Sequence, residues 1–423
     1  MLFRYYIDQV SNFFDLCGPY RFFRSEVPHR ARENSTLANA IFALSARLLH
    51  WREGLDSYVA DRYYHACLQT LIPTLNDSQA FLDDSLLAAT VLLRMLEEID
   101  VHIFGSDAQG HLSGLQAIIR ATTTTTTAAR SPPPSGLRQA ASWAAFRQEL
   151  WMALQTQRPV AMRSRDLDAI CGFERDHGFR PADDWVWAQR AVAQFGEALE
   201  WAFGAGGGGG GGGCGGGDGD SDGDADAGVE PAAGGEAAWR ARLRENAAWR
   251  ASVPRSYEPF FGGWGDDDDD DEDDGDGERD LGLVEEKPLP DVRFCADLYA
   301  TAHNYNLFAH MILIVHDPTV PRLGPLRRAA VAAVDRRARN TVRKLVALAL
   351  ANFDASPAAL LACMAVILCG DRFAPSPHQG QHDQHQRYRA EQHRFLALLT
   401  ATEKRHGWPT ARARAQLREG WGF

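Results

Sequence analysis

The chain of 423 residues contains no C-x-x-C pair, although it carries seven cysteines at 17, 67, 171, 214, 295, 363 and 369. Finger-type zinc sites need closely spaced thiolates, and disulfide-stapled folds concentrate cysteine in short chains, so neither device is expected to organise this one. The cysteines read as reduced and mostly buried, and Cys363 and Cys369, inside the run LLACMAVILC, read as small hydrophobes. Also missing are a nucleophile elbow, a phosphate loop, a dinucleotide fingerprint and the metalloprotease helix motif. The glycine tract at 206–213 follows no strand pattern and has no Lys-Ser or Lys-Thr after it, so it is low complexity and not a phosphate cradle. Long unbroken apolar runs are absent too. Leu298–His316 is interrupted by His303, Asn304, Asn306 and His310, and Leu345–Gly370 by Asn352, Asp354 and Pro357, so neither is expected to span a bilayer. Met1–Val10 mixes charged with aromatic residues and does not read as a secretory leader.

What is present is ample apolar material, 45% of residues, with 24% charged, enough for one large core or two modest ones. The net charge of −12 is unevenly placed: residues 204–286 hold 23 Asp and Glu against 6 Arg, a net of −17, which leaves the rest of the chain at +5. The averaged charge therefore says little about the partners of the ordered part.

Two stretches are too poor in apolar residues to build a core. The first is Thr/Pro-rich, 122–135 (TTTTTTAARSPPPS), and the second, 204–280, joins the glycine tract to DDDDDDEDDGDGERD. Both are expected to be disordered insertions in a helical domain running through 1–121, 136–203 and 281–423. Elsewhere apolar residues return at spacings of three and four and strand-like alternation is nearly absent, so the fold class is all-α, with antiparallel helices packed in two subregions.

Three segments carry that reading. Leu82–Leu96 places Leu82, Leu86, Leu87, Leu93, Met95 and Leu96 on one broad face, with Asp83 and Asp84 suited to the first turn; the helix should end near Glu97–Asp100. Pro325–Asn352 reads as a long surface helix with Val331, Val334, Val342, Leu345, Val346 and Leu350 inward and seven basic residues elsewhere on the wheel. Ser356-Pro357 suits the start of a buried helix, and Gly370 suits a left-handed C-terminal position.

Asp61 with His65 and Glu98 with His102 each stand one turn apart, as ligands of a helical di-metal site do, but the spacing differs from the usual Glu-x-x-His, and capping or surface roles are preferred. His378, His382, His385 and His393 lie in a Gln-rich stretch that reads as an exposed loop. Arginines on 327–344 and Arg405, Arg412, Arg414 and Arg418 lack interleaved aromatics and read as solvated faces, not as a nucleic-acid stripe. Tyr257, Phe260, Phe261 and Trp264 precede the acidic run as aromatics do in activation segments, yet the aspartate block itself has no hydrophobic residue, which favours a plain acidic linker. No catalytic, cofactor-binding or metal residue is assigned.

Several separated phrases resemble a family. LFRYYIDQVSNFFDLCGPYRFF with VPHRA, within 1–31, followed by LANAIFALSARLLH, YYHACLQTLIP at 63–73, DDSLLAATVLLRMLEEID at 83–100 and SDAQGHLSG at 106–114 look like the fungal-specific transcription factor domain, in the group labelled ARCA-like. GLRQAASWAAFRQELWMALQTQRPV at 136–160, VRFCADLYATAHNYNLFAHMILIVHDP at 292–318, CGDRF at 369–373 and LLTATEKRHGWPTARARAQLREGWG at 398–422 continue in the family's order. The resemblance implies a helical regulatory domain acting in the nucleus on RNA polymerase II genes, with DNA contacted by a six-cysteine, two-zinc cluster N-terminal to it. Met1 falls at the domain's opening phrase, so zinc is expected only in such a missing cluster and not in this chain. The expected partners are coregulators or the transcription machinery, in a homo- or heterodimer, with DNA reached through a missing domain or a partner. A cofactor dimerising with a complete factor and, further off, a helical metalloenzyme are the alternatives.

Overall fold

A computed structural model describes residues 1–75, 83–104, 136–162, 166–167, 171–174, 178–204, 233–263, 289–354, 356–374 and 388–423. Thirteen α-helices account for most of these, with no strand among the described residues beyond an isolated antiparallel bridge between Phe261 and Arg293. The all-α expectation holds.

The N-terminal part begins with α1 (Leu2–Tyr5), which runs on through a π turn, Tyr6–Val10, and a 3-10 turn, Ser11–Phe13. Tyr6 and Val10 are fully buried there. Asp15 then accepts hydrogen bonds from the backbone N–H groups of Phe23 and Arg24, both at 2.8 Å, and so caps α2 (Phe22–Ala31) from outside the helix. Asn34 does the same for α3 (Ser35–Glu53), accepting from the Leu37 N–H at 2.9 Å, and left-handed Gly54 ends that helix. Leu37, Ile41, Leu44 and Leu48 repeat at helical spacing and all are buried, which makes α3 the central post between α4 (Ser57–Leu75) and α5 (Asp84–Phe104). Next, α6 (Gly136–Thr156) packs across α5 and α2.

The second part is built on the pair α7 (Asp184–Phe203) and α9 (Asp297–Val315), with α8 (Ala233–Ser252) laid against both. Then α10 (Arg327–Ala351), α11 (Ser356–Cys369), α12 (Arg389–His406) and α13 (Ala411–Trp421) complete the layer. The end of α12 returns to α3. Left-handed Gly407 sits so close to it that a Cβ would lie 2.7 Å from the Leu48 carbonyl oxygen. Because of this return, buried side chains from Tyr6 to Trp421 form one continuous cluster instead of two subregions, with only a small satellite at Ile314, Val334 and Ala338.

Four expectations are corrected. The stretch 204–280 is not wholly a disordered insertion, because 233–263 folds: Trp239 and Trp249 are buried, and their indole N–H groups donate to the carbonyls of Leu313 (2.8 Å) and Trp187 (3.1 Å). Averaging over the flanking glycine and aspartate tracts hid a segment whose Ala, Arg and Glu favour helix and whose three large aromatics, Trp239, Trp249 and Tyr257, supply an apolar face. The rest of that stretch, at 205–232 and from 264 on, lies outside the described residues, as does 122–135. Helix α5 continues to Phe104, past Glu97–Asp100, since Ile99 still faces the core. On α10, Val331 and Leu350 are 36% and 42% exposed: 322–329 are all exposed, so the helix overhangs its neighbour at Val331, while the buried stripe runs Val334, Ala338, Val342, Leu345 and Leu348 and leaves Leu350 off it. Its second half is buried, so only its first half is a surface helix. Gly370 is not left-handed. It is needed for contact, because a Cβ would stand 2.5 Å from Leu417 Cδ2, and its carbonyl accepts the Trp421 indole N–H at 2.7 Å.

Candidate functional site

A cavity of about 80 Å³ lies where the two parts meet. One wall comes from the N-terminal segment (Phe13, Phe14), α5 (Met95, Glu98) and α6 (Ala144, Arg147, Gln148, Trp151), and the opposite wall from α9 (Tyr305), α11 (Pro357, Leu360, Leu361) and Trp408. Glu98 and Met95 share the inner face of α5 at helical spacing, and Ala144, Gln148 and Trp151 stand at i, i+4 and i+7 on α6, so both helices bring their cavity residues into register. Trp151 and Trp408 meet edge to face, ring centres 5.7 Å apart.

The polar groups of the lining are fixed from behind. Arg147 donates through Nη2 to the Phe14 carbonyl at 2.8 Å, which ties α6 to the N-terminal segment. Gln148 donates through Nε2 to the Val91 carbonyl at 3.0 Å, on α5. Among the described residues, Gln148 Oε1, the Trp151 indole nitrogen and Arg147 Nε have no hydrogen-bond partner. Burial raises the Glu98 carboxyl to about 7; the Arg94 guanidinium, 3.5 Å from it, pulls the other way, and the carboxylates of Glu97 and Glu149 push it up. Burial likewise raises the Tyr305 phenol to about 12, eased by Arg147, so it stays protonated at neutral pH. The arrangement offers hydrogen-bond donors and acceptors inside an apolar shell. It contains no paired nucleophile and base.

The residues weighed from sequence fall elsewhere or apart. Asp61 receives Arg47 Nη2 at 2.6 Å, His65 is exposed beside Tyr64, Glu98 lies with Arg94, and the His102 side chain is outside the description. No group of three or more His, Cys, Asp or Glu able to hold a metal lies together among the described residues. His378, His382 and His385 lie outside them, while His393 is exposed, its Nδ1 2.6 Å from the Arg389 carbonyl.

Of the arginines, Arg327, Arg328, Arg336, Arg412 and Arg418 are solvated. Arg343 is forked onto Glu391 at 2.5 and 3.1 Å, Arg414 pairs with Glu403 at 2.9 Å, and Arg337 stands 3.9 Å from Asp317. The aromatic quartet is split: Tyr257 is buried, donating to the Asp184 carbonyl at 2.6 Å, Phe260 and Phe261 are exposed, and Trp264 is outside the described residues. Sequence reading passed over Arg147, Gln148, Trp151 and Tyr305. The available signal was polar residues set on otherwise apolar helical faces, as in AAFRQELW within α6.

No helix among the described residues is long and apolar enough to cross a membrane. No curated protein and no solved structure matches the chain. A family model described as the fungal specific transcription factor domain matches residues 1–146, which include Phe13, Phe14, Met95, Glu98 and Ala144 of the cavity lining, while Arg147, Gln148 and Trp151 follow the matched span. The description of that family is of a transcription factor domain. Over its first 146 residues, the chain is therefore similar to the fungal specific transcription factor domain.

Proposed function

We propose that the chain is a nuclear regulator of RNA polymerase II genes, acting as the helical regulatory region of a fungal-type factor through protein contacts or a small effector, while DNA is contacted by a zinc cluster outside this sequence or by a partner protein. The observation that carries the reading is the family match over 1–146, joined to a helical core that runs without a break from the matched residues to Trp421. A core continuous through the cavity gives an effector bound there a route to both parts of the domain. Resemblance of the phrases beyond residue 146 to the same family, in the ARCA-like group, supports extending the reading to the whole chain.

The test is to fuse the chain to a heterologous DNA-binding domain and measure a reporter across nutrient conditions. Altered output relative to the DNA-binding domain alone is the expected result. Unaltered output in every condition overturns the reading, and recovery with a complete zinc-cluster factor in a nuclear pull-down turns it toward the dimerising cofactor.

A further inference from the structure

The cavity between the two parts has more specific chemistry than a packing gap. An apolar void stays dry and needs no polar lining, whereas here three polar side chains of α6 belong to one lining and leave buried hydrogen-bonding atoms without partners. Gln148 is 8% exposed and donates one Nε2 hydrogen to the Val91 carbonyl, while its acceptor Oε1 has no partner. Trp151 offers an indole N–H, which can only donate, and Arg147, with Nη2 committed to Phe14 and its guanidinium also hydrogen-bonded to the Tyr305 hydroxyl, offers its Nε–H. Around them stand the faces and edges of Phe13, Phe14, Met95 and Leu361.

We propose that this cavity binds a small neutral molecule through a primary carboxamide or urea-like head, whose carbonyl oxygen accepts from Trp151 and Arg147 and whose NH₂ donates to Gln148 Oε1 and the Glu98 carboxyl. A planar group with one acceptor and two donors matches that set. A carboxylate would set a negative charge against Gln148 Oε1 and Glu98, and an ammonium would leave Trp151 and Arg147 without an acceptor. Size sets a second limit. A void of about 150 Å³ holds benzene, so a cavity of about 80 Å³ takes a head of roughly three to five non-hydrogen atoms. Because the lining joins the family-matched residues to α9 and α11, occupancy holds the two parts together. That regulatory meaning rests on the reading as a transcription regulator; the binding itself does not.

The experiment uses the full chain with propionamide, propionate and propylammonium as probes, followed by ligand-observed saturation-transfer NMR and by the thermal midpoint. Saturable propionamide binding in the roughly millimolar range, which is what so few atoms allow, is expected, with both ions at least about tenfold weaker. Gln148→Leu and Trp151→Phe should each weaken propionamide about tenfold or more, while helical circular dichroism confirms that they fold. Ala144→Leu, which fills the cavity, should abolish binding, and the two polar variants keep the test decisive if it fails to fold. Absence of saturable propionamide binding, equal or tighter binding of propionate or propylammonium, or binding unchanged in the folded variants overturns the proposal. Since the readout is physical binding, its failure is distinct from silence in the reporter assay.

Discussion

The two parts of the domain bury their polar groups in different ways. Around α3–α6 the buried contacts between side chains are chiefly ionic: Arg47 bridges Asp61 (2.6 Å) and Asp100 (3.1 Å), Arg138 meets Asp84 (2.7 Å), and Arg94, only 1% exposed, lies 3.4 Å from Glu97 and 3.5 Å from Glu98. Around α7–α9 they are chiefly amide, indole and imidazole: Asn306 donates to Gln194 Oε1 (3.1 Å), Asn246 to the Asn306 carbonyl (2.9 Å), and His303 meets the Tyr257 carbonyl (3.0 Å). Arg250 joins that network through asparagine oxygens and not through a carboxylate. Neutral groups lose less solvation on burial than ions, so the second network costs less to assemble and responds less to salt. The first is the part in which removing one partner strands a charge.

The largest effect should come from the neutral side. Trp249→Ala deletes a fully buried ring stacked edge to face on Tyr257 (5.8 Å) and His303 (5.3 Å) and removes the N–H that satisfies the Trp187 carbonyl. A loss of about 3–5 kcal/mol is expected in denaturant unfolding. A loss under about 0.5 kcal/mol would mean that 233–263 is an appendage and that the comparison has only one side.

On the ionic side, Arg94→Ala leaves Glu97 and Glu98 without their buried cation and should cost about 3–5 kcal/mol, whereas Arg94→Met combined with Glu98→Gln should recover most of that loss. The same denaturant titration checks both. A double variant no better than Arg94→Ala alone would show that neither the Glu98 charge nor the lost side-chain volume sets the cost of removing Arg94.

Sequence patterning made the helical class and the helices around Leu86–Leu96 and Val334–Leu348 legible, because burial there follows the 3.6-residue period. It lost α8 because its aromatics sit between tracts whose composition dominates any window drawn around them. The cavity was hidden for a different reason. Glu98, Gln148 and Tyr305 are far apart in the chain, and nothing local distinguishes a polar residue facing a cavity from one facing water. Glu98 shows this directly, since on spacing alone it paired with His102 as a metal ligand, while the fold places it against Arg94.

The smallest effect, and the sharpest for the comparison, is in pH. Burial holds Glu98 at about 7 in the folded protein against an ordinary 4.5, so between those values the folded state binds more protons than the unfolded one, and this group's contribution to stability falls as pH rises. His303 and His406 are held at about 4 by burial against an ordinary 6.5, so the unfolded state takes up protons that the folded state refuses, and their contribution is lost as pH falls through that window. The two parts therefore pull in opposite directions between 4.5 and 6.5. Glu98→Gln, neutral at every pH, should gain on the wild type as pH rises from about 5 to about 8, while His303→Gln should gain on it as pH falls from about 6.5 to about 4.5. Thermal midpoints across that range read both. Parallel midpoints for wild type and Glu98→Gln would mean that the Arg94 pair compensates the carboxylate in full, and the ionic part of the core would then exert no pull against the pH dependence set by His303 and His406.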